Sequence, residues 1–344
     1  MPRTLVTGAT GFIGKRLVER LIERGEEVAG LVREKKSSEH LEKLGGEPVT
    51  GTLDDQVQLT TAIRGAFGGR GPEVIYHLAG LTHGSRIEDF MRVNAEGTER
   101  LCAAAIAAEL DDPPVVVLVS SLAAAGPSPP GVPHTEATPP DPISKYGRSK
   151  LAGEHAARRY ANQLWLSILR PPAVFGPGDR DGLLLFKSLR RFPLHAVPQM
   201  KGLPLSLIHV DDLVAALLAV GDRGERIVSG SDENEPTGLY YAADPAESSY
   251  AEMGRMVAAS LGKKVFVLCR RKYPFLPLAL MGDLIGKIRG KAPIFGMDKL
   301  REASASGWVC SPAKIQSELG WAPASGLAER YAETGDWYRQ VGWL

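Results

Sequence analysis

The sequence predicts an α/β fold: a doubly wound parallel sheet with a smaller C-terminal α/β lobe. Three observations predict it. Short apolar runs alternate with amphipathic stretches through the first half, the rhythm of βαβ units. A glycine-rich turn, Gly8-Ala9-Thr10-Gly11-Phe12-Ile13-Gly14, joins the first apolar run to the first amphipathic stretch. The run Val115-Val116-Val117-Leu118-Val119 is apolar throughout, as expected of a strand covered by helices on both faces.

In chain order, strands are expected at Thr4–Thr7, Val28–Arg33, Pro48–Leu53, Val74–Leu78, Val115–Ser120 and Leu164–Leu169. Helices are expected between them, at Phe12–Arg24, Ser38–Leu44, Gln56–Phe67, Ile87–Glu109 and Lys145–Tyr160. After Arg170 prolines cluster, and a last strand-then-helix unit follows at Leu205–Val210 and Asp211–Val220. Beyond a polar stretch come a strand at Leu239–Ala242, a helix at Tyr250–Leu261, a strand at Val265–Cys269 and several helices. This divides the chain into a nucleotide-binding domain, 1–170 plus 205–222, and a substrate-binding lobe, 171–204 plus 223–344. The proline-rich loop Gly126–Pro142 precedes the helix at Lys145, where an active-site loop is useful.

With 344 residues, 44% of them hydrophobic, the chain can bury a substantial core. A net charge of +1 argues against nucleic acid or an anionic membrane as the main partner. Cys102, Cys269 and Cys310 are odd in number and far apart, which fits reduced thiols and a cytoplasmic location. The first strand begins almost at Met1, leaving no room for a signal peptide. No run of eighteen apolar residues exists, so no membrane span is predicted. The longest apolar segment, Tyr273 to Ile285, holds two prolines and Asp283 and reads as a core or substrate-pocket helix. The histidines show no metal-ligand spacing, and no metal is expected.

Gly8 and Gly11 let the backbone turn tightly beside a pyrophosphate, and Gly14 lets the helix pack close to the sheet. The pyrophosphate then sits on a helix N-terminus. A dinucleotide is the expected cofactor, since no Gly-Lys-Ser/Thr closes the turn as an NTPase loop requires. Arg33 stands at the end of the second strand, where an acid would meet the ribose hydroxyls of NAD, and Lys35 and Lys36 follow. Cations there suit a 2′-phosphate, so NADP is expected, with NAD the alternative. A solvated basic loop is the plainer account of the same residues.

Tyr146 and Lys150 are four residues apart, one helical turn. A neighbouring ammonium, together with a cationic nicotinamide ring, would lower the pKa of the phenol and turn it into an acid–base group. Ser121, just past the all-apolar strand, is placed to hold a substrate oxygen. An exposed helical Tyr/Lys pair is the ordinary reading of that spacing taken alone. His83 follows the fourth strand and is a further candidate to face a small-molecule substrate.

With these residues in view, the chain resembles the extended short-chain dehydrogenase/reductases over nearly its whole length. Thr7 to Gly14 matches the family's turn, and His77-Leu78-Ala79-Gly80 resembles its segment beside the cofactor. Val93-Asn94-Ala95-Glu96-Gly97-Thr98 resembles its asparagine helix. Arg170 to Gly178 and His209 to Leu213 resemble two further family segments. Ser121, Tyr146 and Lys150 match the catalytic triad, with the usual twenty-five residues from Ser to Tyr. The resemblance implies a Rossmann fold and an NAD(P)-dependent oxidoreductase. It makes Tyr146 the proton donor or acceptor and Lys150 the ribose ligand that tunes it. Ser121 orients the substrate, and Asn94 supports a proton relay. Gly8, Thr10, Gly11, Phe12, Ile13, Gly14, Arg33, Lys36, Leu53, Leu78, Ala79, Gly80, Pro171 and Val174 would line the cofactor with Tyr146 and Lys150. A homodimer through the helices at Ile87–Glu109 and Lys145–Tyr160 is also implied.

Four departures bear on the substrate. Thr52-Leu53 replaces the family's Asp-Leu near the adenine. Ala173 stands where nucleotide-sugar members carry Asn, and Leu203 to Ile208 lacks their basic residue. Ala125 replaces the Tyr that follows the catalytic Ser, leaving more apolar space. The C-terminal Tyr273-Pro274-Phe275-Leu276-Pro277-Leu278 is similar to the lobe of the dihydroflavonol-reductase and 3β-hydroxysteroid-dehydrogenase branch. A ketone/secondary-alcohol reaction on a fairly apolar molecule is therefore expected, ahead of a nucleotide-sugar epimerase or dehydratase.

Overall fold

The computed structural model describes residues 1–34, 38–84, 86–197, 203–230, 236–269, 273–289 and 296–344. The first half runs β1 (Arg3–Thr7), α1 (Phe12–Glu23), β2 (Glu27–Val32), α2 (Glu39–Lys43), β3 (Glu47–Thr50), α3 (Gln56–Gly69) and β4 (Val74–His77). Then come α4 (Ile87–Met91), a π-helical turn (Arg92–Glu96), α5 (Gly97–Ala107), β5 (Val115–Val119), α6 (Leu122–Ala125), α7 (Lys145–Arg158) and β6 (Trp165–Arg170). The second half gives β7 (Ala173–Phe175), α8 (Arg180–Arg191), β8 (Leu194–Val197), β9 (Pro204–Leu205), β10 (Leu207–His209), α9 (Val210–Arg223) and β11 (Leu239–Tyr241). It closes with β12 (Ser248–Ser249), α10 (Tyr250–Ser260), β13 (Phe266–Cys269), α11 (Leu276–Arg289), α12 (Met297–Ala303), α13 (Ala313–Leu319) and α14 (Leu327–Gln340).

The main sheet has seven strands in the order β11-β6-β5-β4-β1-β2-β3, all parallel. Successive residues of a strand face opposite sides, so the sheet carries two cores. Leu5, Ile75 and Val116 meet Leu59, Ile63 and Leu101 from α3 and α5. Val6, Tyr76 and Val117 meet Leu17, Leu21, Leu213 and Leu217 from α1 and α9. This is the doubly wound α/β fold the sequence predicts. The winding reverses between β1 and β4, so a crevice opens beyond their carboxyl ends, where such sheets bind ligands.

Several elements depart from expectation. The seventh strand of the main sheet is β11, not the segment Leu205–Val210. Pro171 and Pro172 lack the N–H groups a ladder needs, so the chain leaves the sheet after β6. β7 then pairs with β10 in a separate two-stranded sheet. Residues 239–241, assigned by sequence to the second lobe, thus hydrogen-bond into the nucleotide-binding sheet beside β6. The helix expected over Ile87–Glu109 is broken by the π-helical turn, a feature frequent at functional sites.

A third core holds the remaining lobe together. Phe175, Phe186, Val257, Tyr331 and Tyr338 pack α8, α10 and α14 against one another, with Phe175 stacked on Tyr331 at 4.0 Å. Asp212 ties this lobe to α9, since Arg330 pairs with it at 2.6 Å and the Trp321 indole donates to its carbonyl at 3.0 Å. The segment Tyr273 to Ile285 does not behave as a core helix. On α11, Ala279 is buried, while Leu278, Leu280, Met281 and Ile285 are exposed. No described helix is long and apolar enough to cross a membrane.

Candidate active site

The crevice is floored by the glycine turn. Gly8 has φ +72°, a left-handed conformation that favours glycine, and a Cβ there would lie 2.8 Å from the Ala79 nitrogen. A Cβ on Gly14 would lie 2.0 Å from the Gly8 carbonyl oxygen, so α1 packs on the turn only because that position has no side chain. Gly11 caps α1 with no side-chain acceptor, leaving the first-turn N–H groups free for an anion. Thr10 is exposed, while Phe12 and Ile13 are partly buried at the start of the helix. Leu78, Ala79 and Gly80 leave the end of β4 beside this turn, and the Ala79 N–H donates to Thr7 Oγ1 at 3.2 Å. A backbone cradle next to an uncapped helix N-terminus fits a dinucleotide diphosphate.

Ser121, Tyr146 and Lys150 come together at the carboxyl end of β5. Ser121 lies just beyond that strand and caps α6, its hydroxyl accepting from the Ala123 N–H at 3.1 Å. Ser144 caps α7, accepting from the Gly147 N–H at 3.0 Å, which sets Tyr146 in the first turn of the helix. Ser121 lies beside the Tyr146 phenol and favours its ionised form. One turn on, Lys150 is buried and its ammonium donates to the Val119 carbonyl at 2.6 Å. Burial pushes the Tyr146 phenol up to about 12, partly offset by Ser121. Burial pushes Lys150 down to about 8, against the pull of Glu154. Lys150 is not among the groups that shift Tyr146; desolvation of the phenolate outweighs Ser121.

Beneath the triad lies a buried network. Glu154, one turn beyond Lys150, pairs with Arg170 at 2.6 Å and also accepts from the Ser120 hydroxyl. Arg170 reaches Tyr241 Oη at 2.9 Å. Arg170 holds the Glu154 carboxyl below its usual range despite burial. Asn94, in the π-helical turn, clamps neighbouring elements: its Oδ1 accepts from the Leu81 N–H at 2.7 Å. Its Nδ2 donates to the Leu81 carbonyl and to Ser149 Oγ, each at 2.9 Å. His77 bridges Thr7 and Thr98, at 2.7 and 3.0 Å, and burial drives it down to about 3, keeping it neutral.

Tyr146 forms part of the wall of a cavity of about 300 Å³. His83 lines the same cavity, as do Phe90 and Lys145. α12 and Gly296 before it also line the cavity, through Met297, Asp298, Arg301 and Glu302. Asp298 accepts from the Lys145 backbone N–H at 3.2 Å, joining α12 to α7. The lining mixes apolar and charged groups, and sequence reasoning missed the α12 residues altogether. They lie about 150 positions from Tyr146, and no local pattern marks them. Glu154 carried a readable signal, since it continues the four-residue spacing of Tyr146 and Lys150.

The remaining candidates are spread along the crevice. Arg33 directly follows β2 and is exposed, whereas Lys36 lies outside the described residues. Leu53 and Leu78 are partly buried against the two sheet cores, and Val174 lies on β7. The Pro171 carbonyl accepts from the Leu122 N–H at 2.8 Å. Ala125 does not open apolar space to a substrate. It is buried in a small cluster with Leu122, Tyr241, Ala243 and Cys310, because the α6 turn points it into the protein. Asp211 and Asp212, in the first turn of α9, pair with Arg16 and Arg330.

The model of the NAD dependent epimerase/dehydratase family matches residues 4–234. A ceramide reductase of Caulobacter vibrioides is 32% identical over 341 residues, which are 98% of this chain and 95% of the relative. A UDP-glucose 4-epimerase of Mycolicibacterium smegmatis is 37% identical over 355 residues, 98% of each chain. A putative dihydroflavonol 4-reductase of Synechocystis is 27% identical over 349 residues, 98% of this chain and 95% of the relative. With the turn, the parallel sheet and these matches in hand, the chain belongs to the NAD dependent epimerase/dehydratase family, the extended short-chain dehydrogenase/reductases.

Proposed function

We propose that the chain is an NADP-dependent oxidoreductase that interconverts a ketone and a secondary alcohol on a fairly apolar small molecule. The observation that carries this reading is the contact of Tyr146 with Ser121 on the wall of the cavity, one turn from Lys150. A bound nicotinamide would supply or accept the hydride. The glycine turn, Leu78 to Gly80 and Lys150 would hold that cofactor, with Arg33 and Lys36 near a 2′-phosphate and Leu53, Pro171 and Val174 along its sides. Tyr146 donates its phenolic proton to the substrate oxygen in reduction and takes it back in oxidation. Ser121 orients that oxygen. Asn94 supports the proton path by fixing Leu81 against Ser149 on the catalytic helix.

The apolar substrate draws support from the similarity to a ceramide reductase and from Ala173, which replaces the sugar-nucleotide asparagine. The smaller lobe, with α12, would bind the substrate, and His83 would meet it across the cavity. A second reading, a nucleotide-sugar epimerase or dehydratase, is favoured by the 37% identity to a UDP-glucose 4-epimerase. NADPH oxidation separates the two. Sustained, stoichiometric consumption with long-chain or polycyclic ketones supports the proposal. Turnover of a UDP-sugar with no net cofactor change overturns it. We infer a homodimer through α4, α5 and α7, where Ala103 and Ala107 face outward and allow close helix approach, while Ala104, Ala105 and Ala108 are buried in the sheet core. Sedimentation at micromolar concentration tests it, and a monomer mass rejects it.

A further inference from the structure

Two sets of large apolar side chains stand in solvent on consecutive elements. On the β8–β13 ribbon, Leu194 and Phe266 are register partners, 48% and 67% exposed, and Phe192 beside them is 58% exposed. On α11, Leu278, Leu280 and Met281 are 51%, 58% and 52% exposed. Single exposed apolar residues are ordinary, but such clusters mark interaction surfaces.

The charge around them is one-sided. Residues 183–197, 261–269 and 273–289 together hold seven Lys or Arg residues and one acidic residue, Asp283. The whole chain has a net charge of only +1, so its positive charge is concentrated here. Arg191 lies 5.5 Å from the Phe192 ring, and Lys263 donates to the Arg190 carbonyl, so cations border the apolar groups directly. Apolar groups rimmed by Lys and Arg match the boundary between acyl chains and anionic headgroups.

We propose that α11 and the β8–β13 ribbon form a docking face for an anionic lipid bilayer. The face is coupled to the cavity. α11 packs on α12, and α12 lines the same cavity as Tyr146. An apolar substrate leaving the bilayer would enter beside the helix that shapes its pocket. The substrate part of this inference rests on the proposed function; the docking does not.

The test is co-sedimentation of the full chain with phosphatidylcholine vesicles, with and without phosphatidylglycerol. The protein should pellet with the anionic vesicles, weakly with neutral ones, and less as salt rises. Leu280→Asp with Met281→Asp, and separately Leu194→Asp with Phe266→Asp, should each cut vesicle binding by about tenfold or more. Both variants change exposed positions, so their thermal transitions and cofactor binding should stay normal. Absence of binding to anionic vesicles overturns the proposal, as does binding unchanged in both variants. If the substitutions instead dissolve a self-associated form without affecting vesicles, the face belongs to a second copy and the proposal fails. If the unmodified chain reduces ketones with NADPH but does not dock, the docking alone is condemned; if it docks but does not reduce them, only the functional reading is.

Discussion

The Lys150 ammonium donates to the Val119 carbonyl at 2.6 Å, two residues before Ser121. This bond ties α7 to the end of β5. It gives the buried cation a partner and sets the spacing between Tyr146 on α7 and Ser121 beyond β5. Without a charged partner in contact, Lys150 holds its proton weakly.

That weakness gives cofactor binding a pH dependence. Lys150 titrates near 8 rather than at its usual 10.5. Below 8 the ammonium is present to meet the cofactor; above 8 it is lost. NADPH affinity should therefore fall as pH rises through about 8, and Lys150→Met should bind more weakly with a flattened profile. Between 8 and 10.5 the unfolded chain binds more protons here than the folded one, so this group makes stability rise with pH. Fluorescence titration and thermal melts across that window check both effects.

Tyr146→Phe removes the proton and keeps the ring against Phe90, 6.3 Å away. Turnover should fall by about 10²–10⁴, the usual contribution of a general acid–base group. NADPH affinity should stay within about twofold if, as proposed, the glycine turn and Lys150 hold the cofactor. Steady-state rates and a dissociation constant decide the matter. Near-normal turnover would remove Tyr146 from the mechanism.

Arg33→Asp should reverse the cofactor choice. A charged contact worth ~1.5–3 kcal/mol predicts roughly ten- to hundredfold preference for NADPH over NADH in the unmodified protein. Dissociation constants for both cofactors, with and without the substitution, test this. Equal constants in the unmodified protein would refute the assignment of Arg33.

Glu154 and Arg170 are almost fully buried and face each other at 2.6 Å. Removing one partner leaves an uncompensated charge, so Glu154→Gln or Arg170→Met should destabilise by about 3–5 kcal/mol. The double variant should lose less than the sum of the two, since neither charge is stranded. Urea unfolding midpoints measure this. The pair also holds Ser120 next to Ser121, so the single variants should lower turnover even where they remain folded.

Much of this was legible in the sequence because it is local. The glycine turn needs residues without Cβ at fixed steps, and those steps are written at Gly8, Gly11 and Gly14. A helix repeats every 3.6 residues, so Tyr146 and Lys150 share a face whatever surrounds them. An all-apolar strand such as Val115–Val119 announces two covering layers. Tertiary structure decided what depends on distant partners. β11 rather than Leu205–Val210 completes the main sheet, because pairing follows where Pro171 and Pro172 send the chain. Ala125 turned inward and α11 outward, although both sequences are apolar and periodicity alone does not say which side will be covered. The pocket wall at α12 and the direction of the Tyr146 and Lys150 shifts come from desolvation by elements far along the chain. Burial is a property of the assembled molecule, and no short segment encodes it.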